Sequence, residues 1–126
     1  MPITLNHLIV PAHDKAASAK FLADILGLNV EGKSPGNAPP GYFAVIPVGE
    51  TRLDFLDGLK FEPHHYAFLV SDQEFDAILD RVKHAGLEYS SDPLHKKLNE
   101  INHLQGGRGF YFCELNGHNI EVLTRP

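Results

Sequence analysis

The sequence predicts an α+β fold built from two tandem strand, helix and three-strand units. Three observations carry that prediction. His7-Leu-Ile-Val-Pro-Ala-His-Asp14 and His65-Tyr-Ala-Phe-Leu-Val-Ser-Asp72 each open on a histidine and close on an aspartate seven positions later, and the two copies stand 58 residues apart. Behind each aspartate an amphipathic stretch ends in Gly-Leu, at Gly27-Leu28 and at Gly86-Leu87. Each half then finishes on a segment with one acid among apolar residues, Arg52-Leu-Asp-Phe-Leu56 and Asn119-Ile-Glu-Val-Leu123. Self-similarity at a fixed spacing marks an internal duplication. The repeats run over approximately 3–57 and 64–124, and the 126-residue chain reads as one domain over 1–126.

The elements follow in order. Ile3 to Val10 is aliphatic and β-branched and meets Pro11, which lacks a ladder donor, so a first strand is placed there. Asp14 is a helix N-cap, with Ala17, Phe21, Ile25 and Leu28 at helical spacing until Gly27 ends the helix. Asn29 to Glu31 reads as a short second strand, and Gly32 to Gly41, with prolines at 35, 39 and 40, as a loop. Tyr42 to Val48 and Thr51 to Leu56 form a hairpin over Gly49-Glu50. After a join from Gly58 to Pro63, His65 to Val70 repeats the first strand. Ser71-Asp-Gln-Glu74 has capping-box spacing, and Phe75, Ile78, Leu79 and Val82 follow at i, i+3, i+4 and i+7. Leu87 to Tyr89 is a short strand, Ser90 to Gly109 a long polar loop, and Phe110 to Leu115 with Asn119 to Leu123 a closing hairpin over Asn116-Gly117.

Composition narrows the partners. A formal net charge of −5 with no cluster of Lys and Arg disfavours nucleic acid and anionic membranes, which leaves a small molecule. The only cysteine, Cys113, has no partner for an internal disulfide and sits in an aromatic run, which suits a buried thiol in a reducing compartment. Ile3 to Val10 is too short and polar for a signal peptide, and no apolar run spans a membrane. A cytoplasmic location is expected.

Strand alternation gathers the polar residues. His7 lies on the opposite strand face from Leu8 and Val10, Asp54 opposite Leu53 and Phe55, and Glu121 opposite Ile120 and Val122. If the helices cover the apolar faces, the other faces curve around a cavity into which His7, His65, Asp54 and Glu121 point. Buried acids are costly unless paired or bound to metal. Two imidazoles with one or two carboxylates form a divalent-metal set, close to the two-His-one-carboxylate triad of non-haem iron and usable by Zn2+, Ni2+ or Mn2+ as well as Fe2+. His103 and Arg108, in the long loop, are candidates to contact substrate over the cavity. Tyr111 either packs its ring or directs its hydroxyl into the cavity, whereas His13, His84, His95 and His118 fall in caps, a helix end or turns and are expected to be solvated, with His64 at the rim.

These residues resemble the vicinal oxygen chelate superfamily, which includes glyoxalase I, extradiol dioxygenases, methylmalonyl-CoA epimerase, fosfomycin-resistance thiol transferases and bleomycin-resistance proteins. In that superfamily the metal ligands come from the first and last strands of each unit, and His7, Asp54, His65 and Glu121 match those four places, Asp54 standing where glyoxalases carry glutamate. Leu5-Asn-His-Leu8, His65-Tyr-Ala-Phe68 and Gly117-His118 with Glu121 are similar to the fosfomycin enzymes, and Tyr111 matches their substrate-contacting tyrosine. Ile9 departs from them where they carry threonine, and the loop before Phe110 lacks their serine-rich potassium-binding pattern.

The resemblance implies a metal-dependent enzyme that chelates two neighbouring oxygens of a small substrate. With Asp54 bound, glyoxalase or epimerase chemistry is favoured, with a carboxylate taking a proton next to a carbonyl; with Asp54 unbound, an open three-ligand face favours iron and oxygen chemistry. A drug-binding module without catalysis is the contrasting class, and it needs no metal ligands. The resemblance also implies a homodimer, with units pairing within a chain or across it.

Overall fold

The computed structural model describes residues 2–31 and 38–126, so the expected loop from Gly32 onward lies, over 32–37, outside the described residues. The chain divides into two compact units, Met1–Glu62 and Pro63–Pro126, which meet inside the join read from the sequence. Each is described by itself.

The first unit runs β1 (His7–Ala12), α1 (Lys15–Leu26), β2 (Ala44–Val48) and β3 (Thr51–Asp57), with sheet order β1-β3-β2. β1 is parallel to β3, and β2 and β3 form the expected hairpin, with Gly49 at φ 58° in its turn. The first strand begins later than the sequence suggests and continues through Pro11. Its ladder starts at His7↔Arg52, and a sheet-edge position tolerates the missing proline donor. Asn29 to Glu31 forms only a single bridge, Glu31↔Val45, on the outer side of β2. Asp14 caps α1 by accepting from Ala17 N–H, and Gly27 closes it in the left-handed conformation at φ 76°. The buried face of α1 is Ser18, Ala19, Leu22, Ala23 and Ile25, rotated from the expected stripe, so Ala17 is exposed. Three small residues on this face let the helix sit close to the sheet.

The second unit runs β4 (His65–Leu69), α2 (Asp72–His84), β5 (Tyr89–Ser90), β6 (Gly109–Cys113) and β7 (Asn119–Leu123), with order β4-β7-β6-β5. It repeats the first unit, with β5 where the first has its Glu31 bridge. The capping box is complete: Ser71 Oγ accepts from Glu74 N–H and Glu74 Oε1 accepts from Ser71 N–H. Phe75, Ile78 and Val82 are buried as the periodicity predicts. Phe75, Phe110 and Phe112 are fully buried, each contributing about 2–3 kcal/mol of apolar burial. Phe75 and Phe110 meet edge to face at 5.3 Å.

The β6–β7 turn is wider than a two-residue Asn-Gly turn. It is built around Glu114, whose buried carboxylate accepts from the Asn116 and His118 backbone N–H groups and from Asn116 Nδ2. His118, expected to be solvated, is fully buried, and its Nδ1 accepts from His64 N–H at 2.8 Å. Cys113, expected to be buried, is exposed at the end of β6. Among the described residues no helix is long and apolar enough to cross a membrane.

Candidate functional site

Residues paired across a ladder share a face, so register decides which side chains can meet. In the second unit the pairs Ala67↔Glu121 and Tyr111↔Glu121 set Glu121 between β4 and β6, on the face that also carries His65. The apolar residues alternate to the other face, where Phe110 pairs with Val122 and Phe112 with Ile120. His65 Nε2 lies 3.0 Å from Glu121 Oε1, and the Tyr111 ring centroid is 6.0 Å from that of His65. Glu121 is mostly shielded and His65 about half exposed. Burial first, and then the charge and hydrogen bonding of Glu121, push the Tyr111 hydroxyl above the usual tyrosine range, so it is protonated at neutral pH.

The first unit repeats the register with a different outcome. Ile9↔Asp54 places the acid opposite the residue two beyond His7, as Ala67↔Glu121 does beyond His65. Asp54 is one methylene shorter than glutamate, and its side chain is 1% exposed beside Arg52, whose Nε lies 3.4 Å from Oδ1. Among the described residues neither atom has a hydrogen-bond partner, so charge compensation is the contact that Arg52 supplies. Arg52 occupies the place that Asn119 has in the second unit, opposite the histidine. His7 is exposed, and its Nδ1 lies 2.8 Å from Asn6 Oδ1. An amide oxygen only accepts, so Nδ1 is the donor in this bond.

A donor set of imidazole nitrogen and carboxylate oxygen suits a divalent cation. Within the second unit His65 Nε2 and Glu121 Oε1 already converge at 3.0 Å, and this pair fits such an ion. Asp54, turned to Arg52, does so less well. Among the described residues no three His, Cys, Asp or Glu side chains are gathered into one metal-sized group.

The long polar loop after β5, which carries His103 and Arg108, is tied down at several points. The Asp92 carboxylate accepts from the Lys96 and Lys97 backbone N–H groups, and the bond from Lys97 is the main reason its pKa is lowered. His95 bridges β5 and β7, with Nδ1 3.3 Å from Ser90 Oγ and Nε2 2.9 Å from Asn119 Oδ1. Asn102 donates to Ser91 O and pairs its backbone with Gly109. Arg108 donates to Asp72 and Asp76 in the first turns of α2 and lies 4.4 Å over the Phe75 ring. His103 is exposed beside the short 3-10 turn Leu104–Gly106. A cavity of about 200 Å³ opens next to Glu121, lined by Asn102, Leu104, Gln105, Arg108, Leu123, Arg125 and Pro126. Arg125 was not singled out by sequence reasoning, which had only its place after the last strand to go on.

Comparisons with known proteins agree with this architecture. The solved structure of oxidase ChaP-H2 is 52% identical, with a TM-score of 0.91, and the match covers 100% of this chain and 96% of that one. Oxidase ChaP-H1 is 47% identical, with a TM-score of 0.88 over 99% of this chain and 98% of that one. Glutathione transferase FosA of Serratia marcescens is 26% identical over 121 residues, 94% of this chain and 79% of that protein. The sequence signature of a single family matches residues 4–122. The chain belongs to the Glyoxalase/Bleomycin resistance protein/Dioxygenase superfamily, the vicinal oxygen chelate fold of two βαβββ units.

Proposed function

We propose that the chain is a metal-dependent, oxygen-using enzyme that binds a small substrate through two neighbouring oxygens, with His7, His65 and Glu121 as metal ligands. The observation that carries this reading is the different fate of the two matching acids. Glu121 turns to His65 at 3.0 Å, whereas Asp54 turns to Arg52 at 3.4 Å. A three-donor face with open positions is the arrangement associated with non-haem iron oxygen chemistry, while a fourth carboxylate would favour glyoxalase or epimerase chemistry. The relatives described as oxidases, 52% and 47% identical, support the same direction.

When bound, a divalent ion supplies Lewis-acid activation of the two chelated oxygens, and iron adds redox capacity. The protein's own groups do the rest. Tyr111, neutral at working pH, donates a hydrogen bond to a substrate oxygen beside Glu121. His103 stands exposed in the loop before β6, and Asp54 compensates Arg52 within the first unit's sheet. Because the ligands are divided between the two units, we propose a two-fold dimer in which His7 of one chain meets His65 and Glu121 of the other.

Oxygen uptake by protein loaded with Fe2+ and supplied with catechol-type diols tests the reading. Consumption in the wild type and its loss in His65→Ala are expected. The similarity to FosA favours thiol transfer as the alternative, so glutathione consumption without oxygen uptake would overturn the proposal.

A further inference from the structure

We propose that Arg125 reads an anionic group on the substrate, so that the natural substrate carries a carboxylate or comparable oxyanion beside its chelating oxygen pair. This rests on the reading of Glu121 as a ligand and names the substrate class for that site.

Two arginines line the cavity that opens on Glu121. Arg108 is committed, because its guanidinium donates to Asp76 Oδ1 at 2.7 Å, to Asp72 Oδ1 at 3.1 Å and to the Asp72 carbonyl at 3.1 Å. Binding substrate through Arg108 would break this clamp on α2. Arg125 has no hydrogen bond or ion pair from its guanidinium among the described residues. In a chain of net charge −5, an uncommitted guanidinium beside a carboxylate that it does not pair with is an available anion receptor.

The stem of Arg125 lies close against the bare backbone of Gly107. A Cβ added at Gly107 would press on Arg125 Cγ, and would sit 3.0 Å from Arg125 Cβ and 2.7 Å from Thr124 Oγ1. Gly107 has φ −113°, so no left-handed conformation demands glycine there. Its missing side chain makes room for the arginine. Thr124, the preceding residue, is fixed by bonds in both directions with Arg108: Arg108 N–H donates to Thr124 Oγ1, and Thr124 N–H donates to Arg108 O, each at 2.9 Å. A neutral substrate would need none of this. A planar carboxylate matches the two-pronged guanidinium.

The probes are 3,4-dihydroxybenzoate and its methyl ester, which present the same oxygen pair with and without the distal charge. Titration calorimetry on the zinc-loaded protein should show the acid binding about 10-fold or more tighter than the ester, the range for a hydrogen bond to a charged group. Arg125→Ala should abolish that preference while leaving ester affinity and zinc stoichiometry unchanged, and Arg125→Lys should restore part of it. Gly107→Ala should weaken the preference by displacing the stem, whereas Arg108→Ala should retain it. Equal affinity for acid and ester in the wild type, or a preference that survives Arg125→Ala, overturns the assignment. If zinc fails to load, the ligand reading has failed instead, and the same pair titrated into metal-free protein decides the matter for Arg125: acid binding that requires Arg125 sustains the assignment, and its absence overturns it.

Discussion

Replacing Arg52 with methionine separates a compensated carboxylate at Asp54 from a metal ligand. Asp54 is 1% exposed, its Oδ1 has no hydrogen-bond partner among the described residues, and the Arg52 guanidinium at 3.4 Å is its countercharge. Removing one member of a buried ion pair costs 3–5 kcal/mol because the other charge remains stranded. Arg52 retains 27% exposure, which allows water some access and puts the cost near the lower end, about 3 kcal/mol. At roughly 3–5 °C per kcal/mol for a chain of this size, the melting temperature should fall by about 10 °C. The double variant Arg52→Met with Asp54→Val removes both charges from a strand that favours β-branched residues, and should recover most of that loss. Urea denaturation at constant m-value measures both. If Asp54 instead bound the ion, metal-loaded Arg52→Met would melt like the wild type and collapse only when a chelator is added, and the double variant would lose its metal. That result refutes the reasoning.

Two further outcomes are expected. The Ser71 backbone N–H, and then its hydroxyl contact, lower the pKa of Glu74, so its contribution to stability is present above the ordinary glutamate pKa of 4.5 and is lost as pH falls through the lowered value. Glu74→Gln should therefore flatten the acid limb of the stability profile below about pH 4.5, and Ser71→Ala should cost about 1 kcal/mol at neutral pH; an unchanged acid limb in Glu74→Gln counts against the capping box as an energetic feature. In the exchanged dimer, mixing equal amounts of inactive His7→Ala and His65→Ala proteins places both lesions in one site of each mixed dimer and restores the other, so random re-association returns activity toward about a quarter of the wild type's sites. Activity that stays absent after subunits re-associate points to pairing within each chain.

Much of the fold was legible because the duplication is written in register as well as in spelling. The histidine-to-aspartate segments found the first strand and helix of each unit, and the acid-bearing strands found β3 and β7, the latter at its observed bounds. The capping box located α2 because both of its bonds are encoded within four residues. The rest depends on contacts distant in sequence. Ala17 seemed to face the sheet in α1, but the small side chains of Ser18, Ala19 and Ala23 allow a closer approach on an adjacent stripe. His118 and His95 looked like turn residues, since nothing local announces the His64 N–H or the Asn119 amide that hold them. The loop before β6 reads in the sequence only as long and polar, yet the carboxylates of Asp92, Asp72 and Asp76 anchor it. At the candidate site, alternation placed Asp54 and Glu121 on the faces where they stand. The choice of partner was not legible, because it turns on one methylene and on the arginine two residues before Asp54.

Metal stoichiometry in protein purified without chelators tests the central claim most directly. The wild type should hold one divalent ion per chain, and Asp54→Asn should keep it. His7→Ala, His65→Ala and Glu121→Ala should each lose affinity by well over the ~10-fold expected of residues that only support a ligand. Stoichiometric metal in His65→Ala, or its loss in Asp54→Asn alone, contradicts the account.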